Sequence, residues 1–579
     1  MCGICGFYGT KNFELIQEMV QVMKHRGPDA NGFIENDNCT LGHVRLSIID
    51  LSSDANQPMV NSENTVILSY NGEIYNYREI RKTLESRGVI FRTHSDTEVI
   101  LNAYIEYGER FVEKLDGMFA IALYNKREDT LYLYRDRFGK KPLLYFTKQD
   151  KLFFASELKA LLYSKDCPTT ISEDAFFSYL TFRYTLTNEF IIDGIHKLPP
   201  ASYLKKVSGK EVQIINYWKL FDHPCPHRDG TDEDIIRELF FESVKKRLVA
   251  DVPIGVLLSG GVDSSAIAVT MSRMVEQPIK TFTVGFGASD DEFPFARQIA
   301  QQENTEHIEL TINLNDILDE LPKIVWFMDE PHADGGGIAT FFVARKLKEY
   351  NLKVVLVGEG GDEVFGGYIE HKMGGGFFNY VPEAIKKWLY FYLNSFAPQF
   401  IRKKGVRKVD HFFNSFEKEL CSNDFLCKMT NFERHSLLPN GLLMKVDRMT
   451  MAFGIEARTP FLDEDLLRYV INISPEKRLG KKIFKQGLAN YLPSSILTRR
   501  KQGFKVPFET WLNGGLKDYA KDVVFDYNSH SVEILGNDFI KEFFKPTKSY
   551  FQRMTNNAMI GRLLIFELWK LALLNKNRK

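Results

Sequence analysis

Two stretches of this 579-residue chain carry residues whose types and spacing could do chemistry. The first is the start, "MCGICGFYG". Cys2 and Cys5 have the C-x-x-C spacing of a thiol redox pair or of half a zinc site. A redox pair is expected where a strand enters a helix of a βαβ unit, however, and a tetrahedral zinc needs four ligands. No second C-x-x-C follows. The third reading is that Met1 is removed, which leaves Cys2 first in the chain with its thiol and a free α-amine on one carbon skeleton. That is a nucleophile with a built-in base. Cys5 is then read as a small buried residue.

The second stretch is "SGGVDSS", Ser259 to Ser265, with "GEGGDE", Gly358 to Glu363, about a hundred residues further on. Gly260 and Gly261 let the backbone approach an anion, Ser259, Ser264 and Ser265 offer hydroxyls, and a helix starting there presents its first amides. No G-x-x-x-x-G-K-S/T occurs, so this is not a Walker A loop. Asp263 alone would repel a phosphate. A divalent cation between carboxylate and phosphate removes the conflict, with Asp362 as the second carboxylate.

The elements that must position these residues differ between the two halves. Over the first 160 residues short strand-like runs alternate with turns: "TVILSYNGE", then "GMFAIALYNKREDTLYLYRDRFG" with Lys126 to Asp129 as a hairpin loop, then "KLFFASELKALLYS" as strand and helix. This is an antiparallel α+β pattern. From about Thr231 strands and helices alternate, "IGVLLSGG", "DSSAIAVTMSRMV", "IKTFTVGF", "EFPFARQIAQQEN", "EHIELTI", two further helices and "LKVVLVGEGGDE", which predicts a doubly wound parallel sheet. In such a sheet the crevice lies beyond the carboxyl ends of the strands, so the loops after Leu258, Val284 and Val357 should converge. The proline-punctuated segment 195–230 reads as a junction, dividing the chain into 1–200 and 201–579. The last 200 residues look mostly helical, and 370–435 has no reading of its own.

Composition narrows the class. Lys plus Arg equals Asp plus Glu at 75 each, so no excess field points to nucleic acid or a membrane surface, and small-molecule substrates are favoured. Seven irregularly spaced cysteines argue against a disulfide framework and for a reducing, cytoplasmic setting. No signal peptide or membrane span is read.

Together these residues resemble a known family. "SGGVDSS" is similar to the pyrophosphate loop of the N-type ATP pyrophosphatases, and the whole chain resembles the glutamine-hydrolysing asparagine synthetases. "MCGICG", "HRGPDANG", "GHVRLSIIDLSSDANQPM", "YNGEIYNY", "SDTEVIL" and "RDRFGKKPL" are similar to class II glutamine amidotransferase domains. "GVLLSGGVDSSA", "GEGGDEVFGGY", "KVDRMTMAFGIEARTPFLD" and "RKQGFKVPF" are similar to the synthetase half. The resemblance implies an α/β fold: an N-terminal-nucleophile α/β/β/α sandwich followed by a doubly wound ATP-pyrophosphatase-type domain.

It also implies roles. Cys2 attacks the glutamine amide; Asn71 and the amide of Gly72 form the oxyanion hole; Arg45 holds the substrate carboxylate, Glu73 and Asp96 take its α-amine, and Ile48 completes the pocket. Read alone, Arg45 and Asp96 are surface charges and Asn71-Gly72 is a type I′ turn. In the second half Leu258, Val284, Val357 and Gly358 touch ATP, Asp263 and Asp362 hold Mg²⁺, Glu359 serves formation of a β-aspartyl-AMP intermediate, and Lys481 steadies the phosphates. Ammonia passes between the halves, and a homodimer is the common assembly for such enzymes. Val357 stands where the family often has Ser, and Phe484-Lys485 where it often has Leu-Arg; "DEPHADGGG", Asp329 to Gly337, is a candidate wall of the acceptor pocket. Amidation of another carboxylate, such as a sugar acid or peptide, is the runner-up. A non-catalytic binding relative is the rival reading, against which Cys2, Asp263 and Glu359 are intact.

Overall fold

The computed structural model describes residues 2–222, 225, 227–287, 292–415, 424–499, 507 and 511–575. The expected motif at 500–508 lies outside these apart from Pro507.

The first half contains strands β1 (Gly3–Tyr8), β2 (Ala30–Glu35), β3 (Cys39–Arg45), β4 (Met59–Val60), β5 (Val66–Ile74), β6 (Gly117–Asn125), β7 (Thr130–Arg135), β8 (Leu144–Lys148), β9 (Lys151–Ala155), β10 (His196–Lys197), β11 (Ser202–Val207) and β12 (Gln213–Asn216). They form two antiparallel six-stranded sheets, in the orders β10-β8-β9-β1-β3-β2 and β12-β11-β7-β6-β5-β4. Side chains alternate as the pleat requires. Along β1, Ile4 and Tyr8 enter an apolar layer shared with Ala120, Ala122 and Leu133 of the other sheet. Cys5 and Phe7 point the opposite way, onto Leu15, Ile16 and Met19 of helix α1 (Phe13–Val22). On the far sheet Phe119, Ile121 and Leu123 pack against helices α2 (Tyr77–Glu85) and α3 (Asp96–Tyr107). The result is a helix, sheet, sheet, helix stack, and Cys5 is structural within it. Both faces of each central strand are covered, so strands such as β6 read as continuous apolar runs. The division expected at residue 200 falls inside this unit: β11 pairs with β7, and β12 with β11, carrying the second sheet to Asn216. The alternating pairs in 202–216 are partly exposed, and the prolines around them masked the strand signal.

The second half has a five-stranded parallel sheet, β13 (Ile254–Leu257), β14 (Lys280–Gly285), β15 (Glu306–Thr311), β16 (Val354–Leu356) and β17 (Glu456–Arg458), in the order β15-β14-β13-β16-β17. The first strand, β13, therefore lies between β14 and β16, and the crossovers leave it in opposite directions. That makes the gap beyond β13 and β16 the topological switch point. The strand β17 was hidden inside a stretch read as helical; it is three residues long and completely buried.

The halves are not separate bodies. Helix Glu173–Phe182 packs Phe176, Phe177 and Tyr179 into one core with Ile401, Phe566 and Trp569, and the Tyr179 hydroxyl donates to the Arg562 carbonyl at 2.6 Å. Nearby, Arg26 pairs with Glu157 and Asp447, both at 2.9 Å, while Arg448 reaches Glu157 and Asp329, both at 3.2 Å. All of these side chains are buried, so each charge is matched across the junction as burial demands.

Candidate active sites

Cys2 immediately precedes β1, a central strand of the first sheet, and is buried. Its nitrogen donates to Asn71 Oδ1 at 3.1 Å, its thiol faces the Leu46 carbonyl at 3.9 Å, and its carbonyl accepts from Arg26 Nε at 3.0 Å. Burial pushes the thiol pKa up, opposed by the chain's α-amine, the Leu46 contact and Arg45. The resting sulfur is therefore a thiol that needs a base to react.

Asn71 and Gly72 lie in mid-strand on β5, not in a turn. Asn71 is fully buried, and its Nδ2 has no hydrogen-bond partner among the described residues. An unsatisfied buried amide is costly, which leaves this N–H open to an acceptor on a ligand. Gly72 is required by space: a Cβ there would stand 2.1 Å from the Met118 carbonyl oxygen. Glu73, next on the strand, is buried, with Oε2 on Arg458 Nη2 at 2.9 Å and Oε1 without a partner among the described residues. Asp96 opens α3 and accepts from the Tyr70 hydroxyl at 2.8 Å and the Ile74 amide at 3.2 Å. Burial raises its pKa to about 6 against those two bonds. Arg45 ends β3, buried; its Nη1 donates to the Ser52 carbonyl at 2.6 Å and to Asn56 Oδ1 at 2.8 Å, and its Nη2 to the Asp50 carbonyl. Ile48 is buried in the same loop, and its carbonyl accepts from Asp251 of the other half at 2.9 Å. Neither Arg45 nor Asp96 is a surface charge.

The loops after β13, β14 and β16 do converge. Leu258, Ser259, Gly261, Asp263, Ser264, Val284, Val357, Gly358, Glu359, Asp362 and Lys481 line one cavity of about 560 Å³. Gly260 stands at its edge with φ 68°, and a Cβ there would be 2.5 Å from Phe295 Cβ. Helix Val262–Ser272 starts at Gly261 with no side chain capping it, which leaves its N-terminus for an anion. Ser259 and Ser264 bond each other at 3.1 Å, and Ser265 is buried beneath them, its hydroxyl unpartnered among the described residues. Lys481 lies between the two acids, bonded to Asp263 Oδ2 and, at 2.7 Å, to Asp362 Oδ1. Its backbone is left-handed, φ 61°, a cost that non-glycine residues bear mainly at functional sites.

Two carboxylates on one ammonium leave the cluster net negative, and Asp263 Oδ1 is buried without a hydrogen-bond partner among the described residues. A divalent cation fits that donor set. Among the described residues no group of three His, Cys, Asp or Glu side chains could hold a metal, so phosphate and water oxygens would complete its shell, as they usually do for Mg²⁺.

Against known proteins, residues 235–571 match the family description "Asparagine synthase" and residues 1–218 "Glutamine amidotransferase domain". The chain belongs to the asparagine synthase family. It is 31% identical to "Asparagine synthetase [glutamine-hydrolyzing] 1" of Bacillus subtilis, over 98% of this chain and 96% of that one. It is 32% identical to "Asparagine synthetase B [glutamine-hydrolyzing]" of Escherichia coli, over 91% and 86%. As a member of this family it is a ligase that uses glutamine as amido donor. No described helix is long and apolar enough to cross a membrane.

Of the other cavity residues of this asparagine synthase family member, Arg499 was not singled out from sequence, whereas Asp334 and Lys485 lie in stretches noted there and Lys445 opens a quoted motif. Arg499 donates to the Ser259 carbonyl at 3.3 Å and sits 4.1 Å over the Phe295 ring; Lys485 also faces in, as do Asp334 and Lys445. Asp334 is partly buried, yet Lys445 and Arg183 outweigh that burial and hold its carboxyl well below the usual range. "DEPHADGGG" thus reaches the cavity through Asp334 and Gly336. The unexplained 370–435 segment supplies Tyr390, Phe391, Phe432 and Glu433 to the outer wall. Arg499 immediately precedes one quoted motif and Lys445 opens another, but nothing in spacing says that they turn inward.

Proposed function

We propose that this enzyme amidates the side chain of aspartate to asparagine, drawing nitrogen from glutamine and energy from ATP cleaved to AMP and pyrophosphate. The observation that carries the reading is that one chain holds both Cys2 beside the unpartnered Asn71 amide and Lys481 bridging Asp263 and Asp362 in a nucleotide-sized cavity. The glutaminase unit is taken to run to about residue 218 and the synthetase unit from about 231.

In the first unit, removal of Met1 turns the nitrogen that donates to Asn71 Oδ1 into the α-amine. It takes the Cys2 proton as the sulfur attacks the glutamine amide carbon. Charge moves to the amide oxygen, where Asn71 Nδ2 and the Gly72 amide receive it. The C–N bond breaks with proton return, ammonia leaves, and water then cleaves the thioester to glutamate. With both Nη1 hydrogens and one on Nη2 already used, Arg45 meets the substrate carboxylate with Nε and its remaining Nη2 hydrogen. Glu73 Oε1 and Asp96 take the α-ammonium. The pH dependence follows: Asp96 binds ammonium only when ionised, so kcat/KM for glutamine hydrolysis falls about tenfold per unit below about pH 6. A glutaminase pH profile flat down to pH 4.5 would remove Asp96 from this role.

In the second unit the aspartate β-carboxylate attacks the α-phosphorus of ATP and pyrophosphate departs, giving β-aspartyl-AMP. Lys481 and the amides at Gly261 to Ser264 would hold the phosphates, and Glu359, which lines the same cavity, would serve formation of the acyl-adenylate. Asp263 and Asp362 would hold Mg²⁺, which offsets phosphate charge when bound. Ammonia displaces AMP. It must arrive neutral, which an enclosed path favours. A void of about 10 Å³ lies between the halves against Met118, Lys140, Lys141, Val446 and Ala457. Burial there lowers the Lys140 pKa to about 7, the same bias that keeps ammonia unprotonated.

The test is pyrophosphate release by the purified protein with Mg-ATP and ammonia, with and without aspartate. Aspartate-dependent release matched by asparagine supports the reading. Release that ignores aspartate, in a protein that still hydrolyses glutamine, directs the search to another carboxylate.

A further inference from the structure

The motif "GIEARTPFLD" of the synthetase half contains Arg458, one of the largest completely buried side chains in the molecule. Its donors are almost fully committed. Nε donates to Glu456 at 2.6 Å, and Nη1 to the carbonyls of Arg247 at 2.8 Å and Val249 at 2.6 Å. Nη2 crosses the junction to Glu73 Oε2 at 2.9 Å. The backbone of the same residue serves the other site: its carbonyl accepts from the Val357 amide at 3.0 Å, where β16 gives way to the nucleotide loop. One residue thus touches both the glutamine pocket and the loop bearing Gly358, Glu359 and Asp362.

We propose that Arg458 positions Glu73 and so sets the affinity for glutamine from the synthetase side, tying the pocket to the nucleotide loop. The inference rests on Glu73 as the ligand of the glutamine α-amine. Glu73 is buried among Asp96, Glu456, Tyr70, Tyr75 and Arg458. Burial pushes its carboxyl well up, with Asp96 and Glu456 adding to this, while Arg458 and the α-amine pull it down. Of the two opposing cations Arg458 is the stronger influence. The carboxyl stays above the usual range even beside Arg458, so without that guanidinium it holds its proton to still higher pH, swings free of its anchor, and pairs less well with ammonium. A guanidinium fork is suited to this because it binds one carboxylate oxygen, stays charged, and leaves the other oxygen open.

The experiment measures glutamine KM and kcat from pH 5.5 to 8.5 in the full-length protein for Arg458→Met, Arg458→Lys and Glu73→Gln, with thermal melting as the folding control. Arg458→Met should raise KM about tenfold or more near pH 7, more than it lowers kcat, and move the acid limb of kcat/KM to higher pH. Arg458→Lys keeps the charge, so the limb stays near its original pH while KM rises less. It also carries the test if the methionine variant does not fold. In the Glu73→Gln background Arg458→Lys should change KM no further, since the arginine acts through that carboxylate. Equal effects of Arg458→Lys with and without Glu73→Gln, or a wild-type KM in a folded Arg458→Met, overturn the proposal. A wild-type KM for Glu73→Gln overturns instead the assignment of Glu73 to glutamine.

Discussion

Cys2→Ala eliminates glutamine-dependent synthesis, by at least about a thousandfold, while ammonia-dependent pyrophosphate release persists within about twofold. The first figure follows from losing the sole sulfur that can form the thioester: Cys5 is completely buried on the opposite face of β1 and cannot substitute. The second follows from where the change is made. Cys2 is tied to the synthetase half through its backbone, by way of the Arg26 bond to its carbonyl and the Arg26 pair with Asp447. Alanine keeps that backbone and the donation to Asn71, so the junction survives. The measurement is paired assays of one preparation, glutamate from glutamine and pyrophosphate from ATP with ammonia. A folded Cys2→Ala protein that has lost both activities would show that the two sites are not separable as described.

Asp263→Asn should have the reciprocal effect. Lys481 then keeps one carboxylate, Asp362, in place of two, and the phosphate site loses the oxygen best placed for a cation. Amide oxygen is a weaker ligand for a hard cation than carboxylate, so pyrophosphate release falls about a hundredfold or more at limiting Mg²⁺. The volume is unchanged, which leaves Gly358 and Gly361 packed as before; a Cβ on Gly361 would already stand 2.7 Å from Asp263 Cγ. Hydrolysis of glutamine should continue. An unaltered ATP half-reaction across a magnesium titration would remove Asp263 from the phosphate site.

Much of this was legible in the chain because the relevant signals are local. "GVLLSGG" and "VVLVGEGG" are buried strands running into glycine-rich loops, and parallel order alone brings such loops to one crevice, where the structure puts them. The hairpin around Lys126 to Asp129 was marked by alternation on either side. What stayed hidden depends on neighbours distant in sequence. Asn71-Gly72 looks like a turn until β6 is known to press on it. β17 is three residues of "EAR", whose two charges argue against a strand until each is seen to meet the other and Glu73. Segment 202–216 was placed beyond the division because β12, the edge strand, is largely open to water and lacks a clear apolar face, and prolines precede β11. Arg499 and Lys445 gain meaning only from the cavity they close.

Helix Glu173–Phe182 belongs by position to the amidotransferase part of the chain, but its partners are Ile401, Phe566 and Trp569. This has a bearing on descent. A drift in size at Phe176 or Tyr179 has to be answered in the C-terminal helix, nearly four hundred residues away by the span of the Tyr179–Arg562 bond. Two genes recombining near residue 218 would therefore join mismatched halves of one packing surface, even with each set of reactive groups intact. The lineage can exchange its acceptor chemistry by changing the cavity wall. It cannot readily trade one amidotransferase half for another, and a chimera meant to do so should carry the C-terminal helix with its donor.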